Sequence, residues 1–90
     1  MDVTLYIENL SIATTEDDLS NLFMQVGEVV SVRIHRDRVS GESLSFGFLS
    51  MSAQSEADQA VSRFNSYPLN GHKLKVRLAT PRVSNPLFQP

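Results

Sequence analysis

Three aromatic side chains and four cationic ones are placed where they could do chemistry. In Ser43-Leu44-Ser45-Phe46-Gly47-Phe48-Leu49-Ser50-Met51 the apolar residues fall on both faces of a predicted strand. Leu44, Phe46 and Phe48 share one face, and Gly47, Leu49 and Met51 the other. One face must be core, so the other presents two phenylalanine rings outward, which in so short a chain calls for a reason. Tyr6 falls on the non-core side of a first alternating segment, Val3 to Glu8. Arg33 and His35 lie on the open side of a second segment, Val30 to His35, and Lys73, Lys75 and Arg77 on that of a last one, Lys73 to Leu78. Such groups offer contact rather than bond-making. His35 and His72 are the only histidines, they lack helix or metal-ligand spacing, and no Gly-rich phosphate loop is present, so an enzyme is not expected.

Ninety residues allow one domain. With no cysteine, neither a disulfide framework nor a thiolate metal site is possible, and no metal or other cofactor is expected. No apolar run approaches a membrane span and the N-terminus shows no signal peptide, so an intracellular protein, nuclear or cytoplasmic, is expected, with no membrane partner. The formal net charge of -2 argues against a polyanion partner until its distribution is considered. Residues 1 to 28 carry Asp2, Glu8, Glu16, Asp17, Asp18 and Glu28 without Lys or Arg, whereas residues 70 to 90 carry Lys73, Lys75, Arg77 and Arg82 without an acid.

The elements that position these groups follow from periodicity and caps. Thr15 is a predicted N-cap followed by acids that suit a helix N-terminus, with Asp18 near the capping-box position. Leu19, Leu22, Phe23 and Val26 recur at helical steps, and Gly27 is placed to end that helix in a left-handed conformation. Ser52 or Ser55 can cap a second helix with a narrow stripe of Ala57, Ala60, Val61 and Phe64, ended by Asn65 to Pro68; Asn70-Gly71 signals a tight turn. In the last strand Leu74, Val76 and Leu78 point inward. The order is β-α-β-β-α-β, an α+β, ferredoxin-like arrangement with two helices on one face of a four-stranded antiparallel sheet. Residues 1–80 form the predicted domain, and residues 81–90, with Pro81, Pro86 and Pro90, a tail or linker.

"SFGFLSM" at residues 45 to 51 resembles the first signature of the RNA recognition motif family, and "LYIENL" at residues 5 to 10 its second; the resemblance spans residues 3 to 80. It implies a strand order of fourth, first, third, second, with Tyr6 beside Phe46 and Phe48 between basic margins, and single-stranded RNA as the partner, single-stranded DNA being the variant ligand. On the resemblance, Tyr6 and Phe48 stack successive bases and Phe46 packs against a sugar pair. Lys75, Arg77 and Arg33 contact phosphates or base edges, and His35 hydrogen-bonds or stacks. Arg36, Arg38 and Arg82 are looser phosphate candidates, as is Lys73, and main-chain groups near Ala79 and Thr80 read base edges. Leu44 stands where the family carries Lys or Arg, which removes a phosphate contact; Ser45 replaces the usual Gly, and Met51 an aromatic residue.

Other readings are open. The tail, with Val83, Leu87 and Phe88, could bury the rings, and the strand-edge lysines could serve only to block aggregation. A protein-binding module of the same fold would use Glu16, Asp17 and Asp18 on the first helix to grip a peptide, although such relatives lose the platform aromatics. A monomer is expected.

Overall fold

The computed structural model describes residues 2–79. Its elements are β1 (Val3–Glu8), α1 (Glu16–Phe23), β2 (Val29–Arg36), β3 (Ser43–Met51), α2 (Gln54–Phe64), β4 (Pro68–Leu69), β5 (His72–Lys73) and β6 (Lys75–Leu78). The main sheet is antiparallel with order β2-β3-β1-β6, the order expected, and β4 and β5 form a separate two-stranded ribbon that the sequence reading did not separate from the last strand. Both helices pack on one face of the sheet. The alternation of β1 and β3 drives this, because Leu5, Ile7, Leu49 and Met51 are fully buried beneath Leu19, Phe23, Ala57, Ala60 and Phe64. The small alanines let α2 lie close to the strands, and Phe23 and Phe64 meet between the helices with ring centroids 4.8 Å apart.

Helix α1 starts as its sequence dictates. Asp18 N–H donates to Thr15 Oγ1 at 3.1 Å, and Thr15 N–H donates to Asp18 Oδ2 at 3.0 Å, a complete capping box. Its end differs from expectation. The helix stops at Phe23 with Met24 as C-cap in an ordinary right-handed conformation, so Gly27 is not the terminator. Gly27 instead makes room for the Glu56 side chain, against which any Cβ would collide. That carboxylate accepts from Glu28 N–H at 3.2 Å and from Ser52 Oγ at 2.8 Å. Ser52 is therefore bound to Glu56 rather than capping α2, whose N-cap is Ala53 without a side-chain bond; Ser55 lies inside the helix.

Three further expectations change with register. Irregularities between Val29 and Ser31, and between Ile34 and Arg36, put Val29 opposite Met51 against the core and leave Val30 46% exposed, although simple alternation had placed Val30 inside. Leu78 pairs with Leu5 but sits at the sheet end, 36% exposed, where little covers it. Lys73 belongs to the small ribbon, paired with Pro68, and not to the sheet. That ribbon turns at Asn70-Gly71, both with positive φ (52° and 83°), as the tight-turn signal requires.

Gly47 sits opposite Ile7 and Ile34 in the middle of the sheet, a position where glycine usually weakens a strand. Here β2 passes so close that a Cβ would overlap the Arg33 carbonyl oxygen and lie 3.0 Å from Ile34 Cα. Backbone cannot move aside as a side chain can. Gly47→Ala is expected to lower unfolding free energy by ~1–3 kcal/mol, read as a lower urea midpoint at unchanged m-value. An unchanged midpoint would show that β2 and β3 are not held at this spacing.

Candidate nucleic-acid interface

On the sheet face opposite the helices, register sets side chains in rows. Tyr6 of β1 is opposite Phe48 of β3 and Arg77 of β6, and Phe48 is opposite Arg33 of β2, which gives a row Arg77, Tyr6, Phe48, Arg33. One step along, Glu8 is opposite both Phe46 and Lys75. His35 joins this second row by contact, its ring edge-on to Phe46 with centroids 4.9 Å apart and 5.4 Å from that of Phe48. The three central rings form one cluster. Tyr6 lies 5.3 Å from Phe48 and 5.9 Å from Phe46, and the two phenylalanines 6.5 Å apart, all centroid to centroid. All three rings are half-buried and supported from the side by one another.

The Arg77 guanidinium lies over the Tyr6 ring, 4.9 Å from its centroid, a cation–π contact that extends the flat surface toward β6. The Tyr6 phenol is pushed above its ordinary pKa, first by partial desolvation among its neighbours, then by the hydrogen bond its hydroxyl donates to the Glu8 carboxylate and by that carboxylate's charge, with Arg77 opposing. It is a neutral donor at any physiological pH. Two clefts open beside Tyr6. One, of about 390 Å³, is lined by Tyr6, Phe48, Arg77, Leu78 and Ala79; the other, of about 380 Å³, is lined by Glu8, Asn9, Leu44, Ser45, Phe46 and Lys75 together with Tyr6. Rings clustered at these spacings with cations at both ends can stack planar groups and hold anions alongside them.

The rim of the second cleft is shaped by two residues in left-handed conformations. Ser45 has φ 70°, a value that glycine adopts more readily, and is held there by Ser43 Oγ, which accepts from Ser45 N–H at 3.0 Å, and by Leu10 N–H, which donates to the Ser45 carbonyl at 2.9 Å. Asn9, with φ 63°, donates from Nδ2 to the Lys73 carbonyl at 2.8 Å and so ties β1 to the small ribbon.

The structure thus brings together Tyr6, Phe46, Phe48, Arg33, His35, Lys75 and Arg77, with Leu44, 50% exposed, at the margin. Ala79 lines the first cleft, but its N–H is committed to the Thr4 carbonyl at 2.9 Å. Arg36 is drawn away: its Nη2 pairs with Glu16 Oε1 at 2.9 Å, the one ion pair among the described residues. Glu16 Oε2 also accepts from Ile34 N–H at 3.2 Å, where β2 is irregular. Partial desolvation would raise the Glu16 pKa, yet the backbone N–H groups of Ile34 and of Glu16 itself, together with Arg36, outweigh it and hold the carboxyl below its usual range. Arg38 is exposed on the β2–β3 loop and joins none of the clefts described. Lys73 stands off the sheet on the small ribbon, and Arg82, with Thr80 and the tail residues Val83, Leu87 and Phe88, lies outside the described residues. Of the three acids on α1, the carboxylates of Glu16 and Asp18 are engaged internally, which leaves Asp17.

One residue of this face was not singled out from sequence. Glu8 lines the second cleft and a third beside Asn65 and Ser66, and the alternation of β1 carried the signal, since it puts Glu8 on the Tyr6 side.

An α+β sandwich with both helices beneath one sheet, and aromatic rings with cationic ends on the opposite face, defines a class of ligand-binding module in which the sheet itself is the contact surface. Residues 5–75 match the family profile described as the RNA recognition motif. The chain belongs to that family. It is 35% identical over 80 residues to a protein named putative RNA-binding protein RbpE from Nostoc sp., covering 89% of this chain and 81% of that one. It is also 35% identical over 82 residues to a glycine-rich RNA-binding protein 1 from Mycosarcoma maydis, covering 91% of this chain but 47% of the relative. The crystal structure of RNA binding protein PG1 superposes with a TM-score of 0.84 at 34% identity, covering 91% of this chain and 99% of that one. Several of the curated relatives are thus two or more times as long as the part this chain spans.

Proposed function

We propose that this chain is a non-catalytic RNA-binding module that takes short single-stranded RNA across the sheet face, with residues 1–80 as the binding unit. The observation that carries this reading is the row Arg77, Tyr6, Phe48, Arg33, which sets two rings between two cations on the face turned away from the helices. Family membership and the RNA-binding names of relatives support it. Unstacked bases lie on Tyr6 and Phe48, Phe46 packs against a sugar pair, and His35 stacks or hydrogen-bonds at the far side. Arg77, Arg33 and Lys75 hold phosphates or base edges at the margins.

The test is titration of the chain with pools of short single-stranded RNA at several salt concentrations, with single-stranded DNA of matching sequence in parallel. Binding should weaken steeply with salt, and Lys75→Ala should weaken all RNA sequences similarly and reduce the salt slope by about one unit. A loss confined to one sequence would contradict a phosphate role for Lys75, and no measurable binding to any RNA would sink the function itself.

A further inference from the structure

Glu8 is a carboxylate set among groups otherwise suited to an anionic ligand. In the second row it lies between Lys75 and Phe46, half-buried, directly across the strand from both. Lys75 does not neutralise it at contact distance, since the ion pair between Glu16 and Arg36 is the only one among the described residues. A phosphate cannot settle over such a group, because two like charges would meet at a partly desolvated surface. The Tyr6 hydroxyl donates toward this carboxylate, and the acceptor positions left over are suited to a part of the ligand that donates hydrogen bonds.

An ionised carboxylate is acceptor-only, with two oxygens able to receive two parallel donors. The Watson–Crick edges exposed in single-stranded RNA differ in what they offer it. Adenine and cytosine each present one amino donor beside a ring-nitrogen acceptor, and uracil one N–H between two carbonyls, so in each case an acceptor would face a carboxylate oxygen. Guanine alone presents adjacent donors, N1–H and the 2-amino group, at a spacing that matches the carboxylate fork. The cleft has the remaining parts for such a base: the Tyr6 ring as a stacking surface, Phe46 beside it for the sugar, Lys75 for a flanking phosphate, and Asn9 held by the Lys73 carbonyl so that the rim keeps its shape.

We propose that the cleft lined by Glu8, Phe46 and Lys75 is a guanine-selective subsite, with Glu8 as its specificity-determining residue. The inference rests on the RNA-binding reading and goes beyond it by assigning one base to one place on the sheet.

The experiment uses a short uridine oligonucleotide in which one position carries guanosine, inosine, adenosine or cytidine, titrated against the parent chain, Glu8→Gln and Glu8→Ala. The parent should favour guanosine over the other bases by roughly 5- to 150-fold, the range of a good two-bond contact. Inosine, which lacks the 2-amino group, should fall in between. In Glu8→Gln, whose amide presents one acceptor and one donor, and in Glu8→Ala the guanosine preference should collapse, while the all-uridine strand gains affinity because a charge facing its phosphates is gone. The guanosine and inosine comparison needs no variant and so stands even if a substitution disturbs folding. If every oligonucleotide binds the parent equally, or the preference survives in both variants, the subsite assignment fails and the stacking platform stands. If none binds, both fall together.

Discussion

Replacing Tyr6 and Phe48 together by alanine is expected to weaken binding of short single-stranded RNA by ~2–6 kcal/mol, from ~1–3 kcal/mol for each lost stacking surface. The two rings are directly opposed across β1 and β3 with centroids 5.3 Å apart, so they act as one surface. Each also supports a neighbour: Tyr6 carries the Arg77 guanidinium, and Phe48 contacts His35. Loss of both rings therefore releases the cation and the imidazole that they orient, which places the double variant toward the upper end of the range. Neither ring belongs to the buried core, so circular dichroism and the thermal midpoint should stay near the parent's. Anisotropy titrations with a common RNA pool decide the matter. A folded double variant that binds as well as the parent would remove the platform from the account, and Asp17 on α1 would then be the acid to test with peptide libraries.

Phe23→Ala is expected to destabilise the domain by ~3–5 kcal/mol, the range for emptying a buried aromatic site. Phe23, the last residue of α1, is fully buried between the helices and the sheet, and its ring meets Phe64 at 4.8 Å. Phe64 in turn meets Tyr67 edge-on at 5.5 Å, just before the small ribbon, so the cavity opens at the junction that anchors α1, α2 and the approach to β6. Small domains are marginal, with total stabilities of about 5–15 kcal/mol, so such a loss should lower the melting temperature by roughly 12 °C or more. Phe23→Leu should recover part of it. RNA affinity measured well below the melting transition should be close to the parent's, because Phe23 touches none of the platform. A melting temperature within a few degrees of the parent's would mean that the site collapses to fill the void.

The face that carries the rings follows from their own sequence neighbourhood. Leu5 and Ile7 alternate with Tyr6, and Leu49 and Met51 with Phe48, so once the first set is buried the second must emerge on the other side, whatever partners each strand finds. The helix start at Thr15 and the turn at Asn70-Gly71 are equally local, since cap and turn chemistry involve groups a few residues apart. The strand order was legible only through resemblance to a family, because no local rule says which strand lies beside which. Three departures share a nonlocal cause. Val30 left the core when β2 slipped past β3, Arg36 was drawn to Glu16 on a helix twenty residues earlier in the chain, and Lys73 was carried off the sheet by the ribbon that Asn9 holds.

What the sequence determined alone is therefore the alternation, the caps and the set of rings, all decided by side-chain period and by hydrogen bonds within a turn or two. What the tertiary structure decided is which groups share a row: Arg77 upon Tyr6, His35 against Phe46, and Glu8 between Phe46 and Lys75. Those neighbours depend on cross-strand register, and register is set by the bulges and by burial of the opposite face, which exist only once residues far apart in the chain have met.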